Sequence, residues 1–171
     1  DDVIAVCRAP SAELQALGVR IESGVDVSDA SAVIELAKRL SGVSVDLLIN
    51  NAGILRGDKL DAPNFDGIAE QFAVNAMAPL RVTTALLPLM SKDGKVAIVT
   101  SRMGSIADNG SGGYYGYRMS KAAVNAAGMS LARDLAGRGI AVGLFHPGMV
   151  ATEMTGRNGI PPQDAARDLI K

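Results

Sequence analysis

A tyrosine and a lysine with the spacing Y-x-x-x-K, Tyr117 and Lys121, stand out as a pair that could do chemistry. Residues four apart lie next to each other on one face of a helix. An ammonium beside a phenol favours the phenolate, so Lys121 is expected to lower the pKa of Tyr117 from its ordinary value of about 10. Such a pair can act as a general acid and base on a hydroxyl or a carbonyl. Taken alone, the spacing is more often found in an exposed pair on an ordinary helix.

Polar residues also follow several short apolar runs. Ser101 comes directly after the run at 95–100, and Asn75 lies in the long apolar stretch that precedes that run. Three other runs, at 19–24, 45–49 and 140–145, are followed by Asp26-Val27, by Asn50-Asn51-Ala52-Gly53 and by His146-Pro147-Gly148-Met149-Val150-Ala151-Thr152. Ligands of open parallel sheets bind beyond the carboxyl ends of the strands. We therefore expect these residues to converge on one edge of a sheet.

The elements that would position these residues alternate along the chain. Apolar runs predict strands at 2–7, 19–24, 45–49, 95–100 and 140–145. Amphipathic stretches predict helices at 10–17, 29–41, about 63–91, about 113–137 and 161–171. This alternation is typical of an α/β fold with a doubly wound, mostly parallel sheet. No repeat or second domain is evident, so residues 1–171 are expected to form a single domain.

Composition narrows the class of protein. The 17 basic and 18 acidic residues argue against a nucleic-acid surface or a polybasic membrane anchor, and 48% hydrophobic residues exclude a disordered chain. One cysteine, Cys7, allows neither an internal disulfide nor a zinc cluster and favours a reducing, cytoplasmic location. No apolar run approaches the roughly 18 residues of a membrane span. We expect no metal site, no membrane and no nucleic-acid partner.

The motifs N-N-A-G at 50–53, helical Asn75, strand-end Ser101, Y-x-x-x-K and P-G-x-V-x-T at 147–152 occur in an order that resembles the short-chain dehydrogenase/reductase family. The resemblance implies a Rossmann-like fold and hydride transfer from a nicotinamide. It implies that Tyr117 is the general acid and base and that Ser101 hydrogen-bonds the substrate oxygen. Lys121 would hold the nicotinamide ribose, and Asn75 would anchor a water that links Lys121 to solvent.

The same resemblance assigns cofactor contacts. Asn51, Ala52 and Gly53 would lie along the adenine ribose, and Asp26 and Val27 would meet the adenine ring. The nicotinamide amide would be contacted by Pro147, Gly148, Val150 and Thr152, and Tyr117 and Lys121 would also touch the cofactor. Two alternatives remain open: Asn51 could chiefly join neighbouring strands, and Pro147-Gly148 could be only a turn.

Arg8 bears on the choice of coenzyme. The first apolar run ends at Cys7-Arg8, without the acidic residue that accepts from the adenosine 2′-hydroxyl in NAD-binding relatives. An arginine at this point could pair with a 2′-phosphate. NADP(H) is therefore favoured over NAD(H), although Arg8 could also be a solvated loop charge.

Two features depart from the family pattern. The glycine-rich T-G-x-x-x-G-x-G element would lie before Asp1, so the chain is expected to start at the family's second strand and to lack a strand after Lys171. The missing first strand would belong in the middle of the sheet. The segment 107–113 makes the distance from Ser101 to Tyr117 longer than usual. This length, together with His146-Pro147-Gly148, resembles the C-factor/sniffer-like carbonyl reductase subgroup.

These observations predict an NADP(H)-dependent oxidoreductase that reduces a small carbonyl or oxidises a secondary alcohol. A catalytically silent nucleotide-binding or signalling protein of the same fold is the alternative, and an epimerase or dehydratase on a related fold is disfavoured by N-N-A-G. His146 is read as a loop residue, and Met103, Met149 and Met154 either line a substrate pocket or fill gaps. The small residues Ala122, Ala123, Ala126, Ala127 and Gly128 could pack helices in a homodimer or homotetramer, or against the sheet.

Overall fold

Strands and helices alternate in the computed structural model, which describes residues 2–170. The strands are β1 (Ile4–Val6), β2 (Arg20–Glu22), β3 (Val45–Asn50), β4 (Met90–Val99) and β5 (Ala141–Phe145). The α-helices are α1 (Ala12–Ala16), α2 (Ala30–Arg39), α3 (Phe65–Phe72), α4 (Ala78–Leu86), α5 (Tyr115–Ala136) and α6 (Pro162–Ile170). The predicted α/β fold is confirmed, although the last predicted helix also included Lys171, which lies outside the described residues.

The strands form two parallel sheets where the sequence predicted one. β1 pairs with β2, and β3, β4 and β5 pair in that order. Apolar side chains on β1 and β3 stay open to solvent: Val6 is 40% exposed, Leu47 48% and Ile49 50%. Continuous apolar strands are ordinarily covered on both faces. A further strand between the two sheets remains a prediction.

The long helix predicted at 63–91 has four parts. A π-helical turn, Ala73–Met77, joins α3 to α4, and a 3₁₀ turn, Leu87–Leu89, follows α4. The predicted end at residue 91 is wrong, because Met90 already pairs with Val45 and begins β4. An irregular stretch with Asp93 at a φ of 62° separates this pair from the regular register that starts at Lys95. The sequence missed this early start because residues 91–94 are polar or glycine.

The stretch Phe65–Leu89 also corrects the expectation that no apolar segment has the length of a membrane span. It is 25 residues long, with a mean hydropathy of 1.3 in its most apolar window. Within residues 2–170 it is the one helix long and apolar enough to cross a membrane. Ala76, Val82 and Leu86 of this stretch are buried in the hydrophobic core. A core helix of a globular domain has the same length and composition.

Two clusters of buried side chains hold the layers together. One joins β4 to α5 through Val96, Ile98, Val124 and Leu131. The other joins α2 to α4 and is made of Val25, Val33, Leu36, Leu40, Val82 and Leu86. Burying such side chains stabilises the fold by about 1.5–3 kcal/mol each. The clusters therefore fix α4 and α5 against the sheets.

Close packing of α5 requires a residue without a side chain at position 128. A Cβ on Gly128 would lie 2.6 Å from Leu144 Cδ2, so the helix rests directly on β5. Ala123 also packs against the core, whereas Ala126 is exposed. The small residues of α5 thus serve the helix–sheet contact at Gly128 and Ala123. The homodimer or homotetramer remains a prediction.

Candidate active site

Tyr117 and Lys121 lie side by side on the inner face of α5. Tyr117 is 8% exposed and Lys121 is 4% exposed, so the pair is not an ordinary surface pair. The Lys121 Nζ atom lies 5.8 Å from the centroid of the Tyr117 ring. It donates a hydrogen bond of 2.9 Å to the carbonyl oxygen of Val99, at the end of β4. This bond fixes the ammonium at the edge of the sheet.

Burial shifts the pKa of both groups so that the neutral form of each is favoured. It raises the pKa of Tyr117, while a hydrogen-bonding interaction with Ser101 acts in the opposite direction. It lowers the pKa of Lys121 to about 8. The expectation that Lys121 lowers the pKa of Tyr117 is therefore wrong for this structure. For Tyr117, loss of hydration outweighs the hydrogen bond with Ser101, because a buried charge is costly.

Ser101 begins the turn that connects β4 to the rest of the site. Its Oγ accepts a hydrogen bond of 3.2 Å from the Met103 backbone N–H, at the start of the 3₁₀ turn Arg102–Gly104. The turn lies directly against α5, because a Cβ on Gly104 would lie 2.7 Å from the Lys121 carbonyl carbon. The strand end and the turn thus bring the hydroxyls of Ser101 and Tyr117 together.

Asn75 lies in the π-helical turn and is 1% exposed. Its Oδ1 accepts from the Ile54 N–H at 2.8 Å, and its Nδ2 donates to the Ile54 carbonyl at 2.8 Å and to Ser120 Oγ at 3.0 Å. The side chain therefore joins the loop after β3 to the helix that carries Tyr117. π-Helical turns are rare and often occur at functional sites. The predicted water held by Asn75 remains a prediction.

The segment N-N-A-G follows β3 and reaches the same place. A Cβ on Gly53 would lie 3.4 Å from Asn75 Oδ1 and 3.7 Å from Lys121 Nζ, so this glycine lies directly beside both side chains. Asn51 and Ala52 are exposed. Asn50 is buried and donates to Thr83 Oγ1 at 3.2 Å. Asn50 thus joins the end of β3 to α4. A role of Asn51 in joining neighbouring strands stays a prediction.

Arg8, Asp26 and Val27 lie together after β1 and β2. The Asp26 carboxylate accepts hydrogen bonds from the Ser28 hydroxyl and N–H, and these bonds, aided by the charge of Arg8, lower its pKa. The guanidinium of Arg81 donates to the Val27 carbonyl at 2.9 Å. Arg8 itself is exposed. Its side chain is therefore free to meet a ligand at this edge.

The loop after β5 makes its hydrogen bonds locally. Gly148 has a φ of 81°, Val150 forms a bridge with Ile160, and Thr152 exchanges capping hydrogen bonds with Thr155. Pro147-Gly148 thus forms a turn. It remains a prediction that the cofactor is contacted by Pro147, Gly148, Val150 and Thr152. His146 is exposed, and partial burial, together with the charge of Arg102, lowers its pKa.

The methionines near the site differ in exposure. Met103 is half-buried, whereas Met149 is 63% exposed and Met154 is 43% exposed. A cavity of about 570 Å³ lies beside the start of α5. Its walls are Gly57, Asp58, Lys59, Ala62, Ser111, Gly112, Gly113 and Tyr114. None of the three methionines lines this cavity, so the predicted pocket role is not supported there.

The sequence did not predict the burial of two polar residues in this region. Gln71 is fully buried and accepts a hydrogen bond of 2.9 Å from the Arg56 N–H, and Asp58 is 8% exposed. Nothing in the local pattern marks them, because an aspartate in a loop and a glutamine in a helix are ordinarily solvated. Both act across long sequence distances, which only the fold reveals.

The residues present fit the ribose and nicotinamide end of a dinucleotide. The space beside Gly53 is bounded by the Lys121 ammonium and the Asn75 amide, and Tyr117 and Ser101 are adjacent. Arg8 and Asp26 offer a cation and an anchored carboxylate at the ends of β1 and β2. Within the described part of the chain, no cluster of three or more metal-ligating side chains occurs.

The chain is similar to known proteins of one family. The sequence profile of the short chain dehydrogenase family matches residues 5–161. A 1-hydroxy-2-glutathionyl-2-methyl-3-butene dehydrogenase from Rhodococcus sp. (strain AD45) is 45% identical, and the match covers 100% of this chain and 79% of the relative. The C-signal protein of Myxococcus xanthus is 45% identical over 74% of this chain and 79% of its own.

Solved structures show the same fold. A short-chain dehydrogenase/reductase from Burkholderia multivorans with bound NADP superposes with a TM-score of 0.91 at 34% identity, covering 99% of this chain and 78% of that one. The carbonyl reductase Sniffer of D. melanogaster gives a TM-score of 0.88 at 25% identity, covering 99% and 79%. C-signal and Sniffer confirm the resemblance to the C-factor/sniffer-like subgroup. Because the profile matches most of the chain and a relative is 45% identical over all of it, the chain belongs to the short-chain dehydrogenase/reductase family.

Proposed function

We propose that the protein is an NADP(H)-dependent oxidoreductase that reduces a small carbonyl, or oxidises a secondary alcohol, with Tyr117 as the general acid and base. The single observation that carries this proposal is the burial of Tyr117 and Lys121 side by side, next to Ser101. An ordinary helical pair does not bury an ammonium. Burying one is costly, and such groups are typical of functional sites.

The nicotinamide supplies the hydride when it is bound. As the carbonyl carbon is reduced, the Tyr117 hydroxyl donates its proton to the carbonyl oxygen, and the Ser101 hydroxyl hydrogen-bonds that oxygen while negative charge develops on it. Burial raises the pKa of Tyr117, so the phenol holds its proton at neutral pH. At neutral pH the free protein therefore carries the proton that carbonyl reduction requires. Oxidation of an alcohol requires the phenolate instead, so alkaline pH favours it.

Lys121 provides a cation beside the reacting groups. Its pKa of about 8 leaves it mainly protonated at pH 7. One N–H of the ammonium is used by the Val99 carbonyl, and the others are free for ribose hydroxyls. Asn75 holds the loop at Ile54 and thereby keeps Gly53 beside the ammonium. Lys121 thus orients the cofactor and stabilises the phenolate that remains after proton transfer.

Arg8 supports the choice of NADP(H). It is exposed at the end of β1 and close enough to Asp26 to affect its pKa. A guanidinium pairs well with a phosphate, and the Burkholderia multivorans relative was solved with NADP. Asn51, Ala52, Val27 and the residues of the loop after β5 would complete the cofactor site. These contacts belong to the proposal.

The organisation of the protein is proposed from the same family relationship. Residues 1–171 would form one catalytic domain that works in the cytoplasm as a homodimer or homotetramer. The relative named C-signal favours a second candidate function, a nucleotide-binding signalling protein without turnover. The two candidates differ in one measurable property: only the enzyme requires the Tyr117 proton.

The test compares two tyrosines of the same helix in the complete protein. Tyr117→Phe keeps the ring but removes the proton, so it should lower kcat by about 10²–10⁴-fold while NADPH still binds. Tyr115→Phe removes a hydroxyl two residues away and should keep kcat. NADPH consumption is followed by absorbance with a panel of aldehydes and ketones, and 1-hydroxy-2-glutathionyl-2-methyl-3-butene is assayed with NADP⁺. Unchanged turnover in Tyr117→Phe would refute the catalytic assignment, and NADPH binding without turnover of any substrate would favour the signalling function.

A further inference from the structure

The catalytic helix α5 begins in an unusual backbone conformation. Gly112, Gly113 and Tyr114 have φ values of 63°, 64° and 52°, so three residues in a row are left-handed. Tyr114 occupies the N-cap position, and its side chain makes no capping hydrogen bond. Left-handed conformations are unfavourable for residues other than glycine, and the first N–H groups of a helix need acceptors from outside. Something else must therefore hold this end of the helix.

Asp58 provides the acceptors from the loop after β3. Its Oδ1 accepts from the Tyr115 N–H, and its Oδ2 accepts from the Gly116 N–H at 2.9 Å. Its backbone carbonyl accepts from the Tyr114 N–H at 3.3 Å. Asp58 is 8% exposed, although it carries a carboxylate. A negative charge at a helix N-terminus is favourable, so the carboxylate caps α5 from 57 residues away.

The cap lies next to the acid and base but away from the lysine. Tyr117 is the residue directly after Gly116, in the first turn of α5, whereas Lys121 is one turn further and is held by the Val99 carbonyl. Gly116 is also pressed against α3, since a Cβ there would lie 2.8 Å from Ile68 Cγ1. The position of Tyr117 therefore depends on the first turn, which Asp58 closes.

We propose that Asp58 is a positioning residue for the reaction: it holds the first turn of α5 and, through it, the hydroxyl of Tyr117 toward the substrate oxygen. This inference rests on the proposed function of Tyr117. Asp58 also lines the cavity of about 570 Å³, between the segments 57–62 and 111–114. The backbone carbonyl of Asp58, which accepts from the Tyr114 N–H, thus joins the two walls of this cavity.

The experiment uses Asp58→Asn and Asp58→Ala in the complete protein, with Asp29→Ala as the matched control. Asp29 caps α2 through the Ser31 N–H, so its loss removes a helix cap of the same kind at a different helix. Four quantities are measured for each variant: kcat, the NADPH dissociation constant, the unfolding midpoint, and the hydrogen exchange of individual amides in α5. Asp58→Asn keeps one carbonyl oxygen as an acceptor, replaces the other oxygen by an NH2 donor, and covers the case in which Asp58→Ala does not fold.

We expect Asp58→Ala to lower kcat at least tenfold and Asp58→Asn to lower it less, with the NADPH dissociation constant changed less than threefold in both. The amides of Tyr115 and Gly116 should exchange at least tenfold faster, while those near Leu131 should be unaffected. Asp29→Ala should lower the unfolding midpoint but keep kcat. A selective fall in kcat distinguishes positioning from general destabilisation.

The positioning role is overturned if Asp58→Asn retains kcat within twofold, or if kcat and NADPH affinity fall together. It is also overturned if Asp29→Ala loses as much kcat for the same fall in the unfolding midpoint. Failure of the proposed function gives a different pattern, because Tyr117→Phe would then keep full turnover. The exchange of the Tyr115 and Gly116 amides reports on the cap even in that case.

Discussion

Lys121 should make the stability of the protein depend on pH. Burial lowers its pKa from 10.5 to about 8 in the folded state, whereas the unfolded chain keeps the ordinary value. Between these two values the unfolded chain binds more protons than the folded chain, so the free energy of unfolding rises with pH. The buried ammonium therefore destabilises the fold below pH 8, and this cost disappears as the pH rises toward 10.5.

The size of the effect follows from the two pKa values. One pKa unit corresponds to about 1.4 kcal/mol, so the full difference amounts to on the order of 3 kcal/mol. Between pH 7 and pH 9.5, linkage predicts that about 2 kcal/mol of this is recovered. The replacement Lys121→Met keeps a chain of similar length without a charge. It should abolish this part of the pH dependence and stabilise the fold most at pH 7.

Urea unfolding at a series of pH values between 7 and 9.5, without cofactor, measures the free energy directly. Lys95 is an exposed lysine at the start of the regular part of β4, so Lys95→Met is the matched control and should retain the rise. The comparison of the two variants removes contributions from all other titrating groups. Parallel pH profiles of the wild type and Lys121→Met would refute the argument that the ammonium is buried in the folded protein.

Three further changes test the site in the complete protein. Lys121→Ala should weaken NADPH binding and lower kcat together, since one ammonium serves both; unchanged affinity, measured by fluorescence titration, would contradict this. Arg8→Asp should shift kcat/KM from NADPH toward NADH, because the carboxylate repels a 2′-phosphate and accepts from a 2′-hydroxyl; a wild type that already prefers NADH would exclude the role of Arg8. Gly104→Ala places a Cβ 2.7 Å from the Lys121 carbonyl carbon, so the free energy of unfolding should fall by about 1–3 kcal/mol. Thermal unfolding measures this, and an unchanged unfolding midpoint would refute the close contact.

Local chemistry explains why much of this protein could be predicted from its sequence. The strands are apolar runs and the helices are amphipathic, so their order and the α/β class follow from periodicity. Tyr117 and Lys121 share one helix, and helical geometry brings residues four apart together. Ser101 lies two residues after β4 and Gly53 three residues after β3, and parallel strands end at one edge, so their convergence was predictable as well.

The balance of charge and hydration at the site was decided only by the tertiary structure. The sequence shows an ammonium beside a phenol, but the burial of both groups depends on the elements packed around them. This burial raises the pKa of Tyr117, whereas the sequence predicted a lowered pKa. Asn75, in the π-helical turn, hydrogen-bonds Ile54, and Met90 pairs with Val45 at the start of β4; both contacts join residues that are distant in sequence. Asp58 caps α5 from 57 residues away, and no local pattern encodes such a contact. Sequence periodicity reports which face of an element is apolar, whereas desolvation and long-range hydrogen bonds depend on what covers that face after folding.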